Sequence, residues 1–120
     1  MVYNLSINKN AEGKWVVQPD DGVSTVKPGD QIVWKLNGAA GSMAYLQFCD
    51  DIFEGSGALD EHWVSVLEGG QTLELTLAPR ALPDPRVHRR SYSYAVMVIE
   101  DGKPRYAFGN NPPPDLDVGN

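Results

Sequence analysis

Cysteine occurs once in these 120 residues, as Cys49, so no disulfide can form within the chain. The fold must be held by its own packing, and a cytoplasmic setting is the expectation. No apolar run approaches the roughly 18 residues of a membrane helix. Residues 1–14 also lack the basic start and apolar stretch of an export signal, so no membrane association is expected. Basic residues are in short supply: 10 Lys and Arg stand against 16 Asp and Glu, a formal net charge of −6. That balance disfavours broad binding to nucleic acid or anionic lipid. Sustained helical periodicity is missing too, as are a Walker-type phosphate loop and a Gly-x-Ser-x-Gly elbow.

What the chain has instead is short alternating runs separated by turn residues. Ile32, Trp34 and Leu36 alternate with Gln31, Val33 and Lys35 behind the turn Lys27-Pro28-Gly29-Asp30. Pro28 presets φ for the second turn position, and Gly29 accepts the positive φ of the third. Tyr3, Leu5 and Ile7 share one face of a first strand, which a polar turn over residues 8–13 connects to Trp15-Val16-Val17 as a hairpin. Further strands are expected near residues 23–26, at 44–49 with Ala44, Leu46 and Phe48 on one face, and at 63–67. Residues 72–77 alternate most cleanly, with Leu73, Leu75 and Leu77 inward. Residues 92–99 are apolar on both faces and read as a central strand. Asp101-Gly102 forms a hairpin turn, and residues 104–108 and 115–118 close the set. Residues 50–61 read as a long loop and 78–90 as an irregular connection. Seven to nine short strands with little or no helix predict one all-β domain over residues 1–120, a Greek-key β-sandwich.

The Lys27-Pro28-Gly29-Asp30 turn leading into Ile32-Val33-Trp34, the small-residue loop 37–42, the strand ending in Phe48 and the late Tyr92-Ser93-Tyr94 strand together resemble the cupredoxins. The likeness covers most of residues 23–118. Copper-binding members of that family place a histidine in the loop before the Phe-ending strand, and a Cys, a His and usually a Met around the end of the late aromatic strand. Those ligands hold copper in a trigonal site with a weak axial partner. In this chain the histidine position falls near Ala44 and the cysteine position at Val96; no histidine follows Tyr94, and Cys49 lies one residue past Phe48. The resemblance therefore implies the scaffold without its type-1 copper ligands, with no metal and no cofactor expected.

Cys49, His62, His88 and Met97 are ligand types without ligand spacing, and read as a small apolar thiol, two surface histidines and a core methionine. Asp60-Glu61-His62 sets an acid beside a histidine, with Ser56, Ser65 and Ser91 as hydroxyls, yet neighbours on an extended chain point to opposite faces. No enzyme is expected. Asp50, Asp51, Glu54, Asp60 and Glu61 put five carboxylates into twelve residues without EF-hand spacing, which reads as a solvated acidic loop. Arg80, Arg86, His88, Arg89 and Arg90, with only Asp84 among them, form the one basic patch. Such arginines can fork onto a carboxylate or phosphate partner, pair with the acidic loop of the same chain or a neighbouring subunit, or solubilise the connection. Trp15, Trp34 and Trp63 raise sugar stacking, although alternation assigns Trp34 to the core. The expectation is a non-enzymatic binding or protein-interaction module whose partner is an unidentified protein or a small acidic ligand, with homo-oligomerisation possible and no nucleic acid. An atypical copper electron-transfer protein and a carbohydrate-binding module are the alternatives.

Overall fold

Trp34 is fully buried, and the two sheets of the sandwich close around it. The computed structural model describes residues 1–18, 25–48, 50, 52–54, 64–82, 84, 86, 88–107 and 114–119. Within them lie nine strands: β1 Val2–Lys9, β2 Trp15–Gln18, β3 Gln31–Leu36, β4 Met43–Phe48, β5 Val64–Glu68, β6 Thr72–Thr76, β7 Arg89–Glu100, β8 Lys103–Ala107 and β9 Asp115–Gly119. The one helical element among the described residues is a single 3-10 turn, Pro79–Ala81. The first sheet runs β2-β1-β3-β6; the second runs β5-β4-β7-β8, with β9 paired to the first part of β7. The chain changes sheet after β3, after β5 and after β6, and β1 and β3 are parallel neighbours, with Leu5 opposite Trp34.

The alternation seen in the sequence becomes the inner faces. Leu5, Ile7, Trp15, Val17, Ile32, Trp34 and Leu36 come from the first sheet; Ala44, Leu46, Phe48, Leu67, Tyr94, Val96 and Val98 come from the second. Each large apolar side chain removed from water stabilises by roughly 1.5–3 kcal/mol, so period-two patterning is sufficient to choose which face of each strand turns inward. Leu73 and Leu75 are only half-buried, because β6 is the last strand of its sheet. The expected strand at 23–26 falls partly outside the described residues; Val26 makes one parallel bridge to Val118.

The turn before β3 is tied down on both sides. Gly29 has φ of +96°, the Asp30 amide donates to the Lys27 carbonyl at 2.9 Å, and the Gly29 amide donates to Leu77 at 2.7 Å. The Asp30 carboxylate accepts from the Lys27 amide at 2.9 Å and from the Met1 α-ammonium at 3.2 Å. Burial pushes the Asp30 carboxyl up, but the Lys27 amide and the Met1 charge outweigh it, so it titrates below its ordinary 3.8. A carboxylate depressed on folding contributes stability above the unfolded-state pKa, and loses it as pH falls through the folded-state value. Asp30→Asn is therefore expected to cost about 1–2 kcal/mol at pH 7. It should also remove part of the acid sensitivity below pH 3.8. Urea unfolding at pH 7 and at decreasing pH checks both; a variant whose acid limb parallels that of the native protein contradicts the assignment.

Candidate functional site

The arginine-rich segment is built on the 3-10 turn and the start of β7. Arg80 Nη2 donates to the Phe53 carbonyl. Arg86 meets Asp84 through Nε and Nη2, both at 3.2 Å, and its amide donates to the same carboxylate at 3.0 Å. The Arg86 guanidinium first, and its amide second, hold the Asp84 carboxyl below the ordinary carboxylate range. Arg89 Nη2 lies 3.4 Å from Asp117, Arg90 sits 5.3 Å over the Tyr92 ring, and His88 is exposed. Beneath them the buried Tyr92 hydroxyl donates to the Ala81 carbonyl at 2.7 Å. Burial raises that phenol above its ordinary value, against an opposing pull from Arg90.

Arg89 and Arg90 are not in an irregular connection; they open β7, where Arg89 faces Gly119 and Arg90 faces Val118. Those partners lie far along the chain, and the Arg-Arg-Ser run shows no apolar alternation of its own.

Of the acidic loop, Asp50 and Glu54 are described and exposed; Asp51, Asp60 and Glu61 lie outside the described residues. Buried Ile52 and Phe53 staple its first part to the chain after β6. The Glu54 amide donates to Thr76 at 2.8 Å, Ala78 donates to Ile52 at 2.8 Å, and Phe53 bridges Leu77. The acidic and basic segments therefore meet, and Arg80 reaches the loop through a backbone carbonyl.

Ala44 and Val96, the residues that the cupredoxin resemblance sets against a copper histidine and cysteine, are fully buried. Ala44 lies opposite Val98, and Val96 opposite Leu46. β7 passes to β8 through Asp101 and Gly102 alone, with φ of 52° and 73°. Among the described residues no three or more His, Cys, Asp or Glu side chains gather as a metal site; Cys49 and His62 lie outside them. Met97, expected in the core, instead sits half-buried on the outward face of β7, because alternation from buried Val96 and Val98 turns it out. Trp34 is fully buried and Trp15 is 97% buried, so neither indole offers a face to a sugar. The Trp15 Nε1 proton has no hydrogen-bond partner, with the Lys9 ammonium 5.6 Å from its ring. Trp63 lies outside the described residues.

The sequence reading missed the outer face of the second sheet. Register places Val66, Tyr45, Met97 and Tyr106 in one row across β5, β4, β7 and β8. Glu68, Met43, Ile99 and Pro104 form the next row. Val66 is 47% and Tyr106 63% exposed. Tyr45, Gln47, Ala95, Met97 and Tyr106 surround a shallow depression of about 260 Å³, formed where Ala95 leaves room among longer side chains. The signal was present in the two apolar faces of residues 92–99, but it points to a central strand with one face open. No protein-family model and no curated protein matches this chain. Chemically, the face offers apolar area, two phenols and one carboxamide, which suits adhesion to another surface.

Proposed function

We propose that this chain is a non-enzymatic protein-interaction module on a cupredoxin-like sandwich without copper ligands, and that it works through the outer face of its second sheet. The observation that carries the reading is the Val66–Tyr45–Met97–Tyr106 row. Apolar area left in water costs about 25 cal/mol per Å² relative to burial, and contiguous apolar patches on soluble proteins commonly mark contact sites. The two packed sheets support the sandwich scaffold, and buried apolar Ala44 and Val96 at the positions the resemblance assigns to copper ligands support a reading without them. A cytoplasmic setting fits the lone cysteine; among the described residues no helix is long and apolar enough to cross a membrane.

A second contact, to a carboxylate- or phosphate-bearing partner, is supported by the exposure of the Arg86 and Arg89 side chains, 88% and 63%. Each would exchange Asp84 or Asp117 for an external anion, so the net gain is smaller than for an unengaged arginine.

Photo-cross-linking tests the main reading. With benzoylphenylalanine in place of Tyr106, specific adducts are expected; with the same group in place of exposed Asn4, on the outer face of the first sheet, they are not. Equal labelling at the two positions, or none at 106, contradicts it.

A further inference from the structure

The outer face of the second sheet has unneutralised acid at two opposite corners, and we infer that it receives a cationic amphipathic helix of another protein, lying along the diagonal from Glu68 to Asp115. This inference rests on the reading of that face as the contact surface and names the chemistry of its partner. Tyr94, Val96 and Val98 turn inward, so alternation turns Ser91, Ser93, Ala95, Met97 and Ile99 outward along β7. At one corner, exposed Glu68 ends the row of Met43, Ile99 and Pro104. At the opposite corner Asp115 stands beside Ser93, whose hydroxyl donates to its carboxylate at 2.8 Å, and Asp117 accepts from Ser91. Among the described residues the one cation on this face is Arg89, and it meets Asp117. Lys103 and Arg105 alternate with Pro104 and Tyr106, so they turn to the other side of β8, where Arg105 is opposite inward Val98. A partner that meets both corners carries positive charge at both ends, and the net charge of −6 draws it from a distance.

Glu68 and Asp115 are three rows and three strand spacings apart, roughly 25 Å along the diagonal. A helix of that length has about 17 residues. The backbone beneath the patch is already paired, β4 with β5 and β7, and β7 with β4, β8 and β9, so the face has only side chains to offer. A helix satisfies its own backbone and brings an apolar stripe. That stripe covers the Met43–Ile99 and Val66–Tyr45–Met97–Tyr106 rows. A lysine or arginine near the helix end enters the depression of about 260 Å³. Its stem lies over Ala95, and the Tyr45 and Tyr106 rings offer faces to its cation. The Asp115 carboxylate is on the diagonal from Ala95, roughly 7–8 Å between backbones and within reach of such a side chain.

The apolar rows span roughly 15 Å by 15 Å, smaller than a standard protein interface, so a transient complex with a Kd of roughly 10–100 µM is expected.

Fluorescence anisotropy tests this with a labelled helical peptide of that length, apolar on one face and carrying two arginines at each end. The native protein should bind it in that range at physiological ionic strength. The same peptide with glutamates for its arginines, or with glutamines for its apolar residues, should bind at least about tenfold more weakly. Glu68→Gln and Asp115→Asn should each weaken binding by about threefold; the asparagine keeps an acceptor for Ser93. Glu12→Gln, at an acid in the turn after β1, should change it by less than about 1.5-fold. All three positions are exposed, and an unchanged urea midpoint excludes a folding defect as the cause. Equal losses at Glu12 and at the two corners would reduce the effect to overall charge and overturn the inference. Equal binding of the glutamate peptide also overturns it, as does a protein whose mass doubles from 13.1 kDa in sedimentation and which releases the peptide as it does so. If position 106 gives adducts with a protein that binds without regard to Glu68 and Asp115, the cationic helix fails alone and the contact surface stands; neither peptide binding nor adducts removes both.

Discussion

Trp34→Ala is expected to destabilise the sandwich by about 3–5 kcal/mol, the range for deleting a buried large aromatic side chain. That is a large fraction of the roughly 5–15 kcal/mol that holds a protein of this size folded. The indole is fully buried and stands edge-on to Phe48, Tyr94 and Phe53 at centroid separations of 5.7, 5.9 and 6.2 Å. Its Nε1 donates to the Tyr94 hydroxyl at 3.1 Å. The side chain therefore joins the first sheet, the second sheet and the loop after β4 in one cluster. Trp34→Phe keeps a ring but removes that donor and part of the volume, so about 1–3 kcal/mol is expected. Urea unfolding followed by far-ultraviolet circular dichroism measures both. A loss below about 1 kcal/mol for the alanine variant would contradict the central place assigned to this residue.

Gly69→Ala should cost about 2–3 kcal/mol, the upper part of the range for forcing extra volume into a packed site. A Cβ at Gly69 would lie 2.3 Å from the Ala39 carbonyl oxygen and 2.9 Å from that of Gly38. Both obstacles are backbone, which cannot swing away as a side chain can. The Gly69 amide donates to Ser42 at 2.9 Å, so the loop at 37–42 and the turn after β5 must shift together to make room. Gly70 provides the internal comparison. It has open space around its Cβ position but a φ of +86°, so Gly70→Ala should cost about 1 kcal/mol through backbone strain alone. Equal losses at the two sites would show that conformation, and not the close loop approach, sets the requirement at Gly69.

The loop held by Gly69 is the one that precedes Ala44, where the cupredoxin resemblance places a copper histidine. Ala44 shares a face with Leu46 and Phe48, and Val96 with Tyr94 and Val98, because side chains alternate between the faces of a strand. The burial of Ala44 and Val96 also follows from alternation. The engagement of the arginines does not. Arg89 meets Asp117, and Arg80 meets the Phe53 carbonyl, across separations that no local pattern encodes. A charge run in a sequence shows its sign; the partners come from whichever distant strand the topology brings alongside.

Met97 makes the same distinction within a single strand. Residues 92–99 are apolar on both faces, and sequence alone assigns such a strand to the middle of a sheet. β7 is in the middle, paired to β4 on one side and to β8 and β9 on the other. Whether its second face is also covered depends on a third layer, which strand pairing does not supply.

By itself, the sequence determined the sandwich, most of the strands, the inward side chains and the two turns built on Gly29 and Asp101-Gly102. These depend on period-two burial and on backbone angles that few residues accept, and both act over a handful of residues. The tertiary structure alone decided which strands became neighbours, how the arginines were engaged, and that Tyr45, Val66, Met97 and Tyr106 would lie in one exposed row. Those outcomes depend on pairing between segments tens of residues apart, where the energy comes from the whole packed sheet.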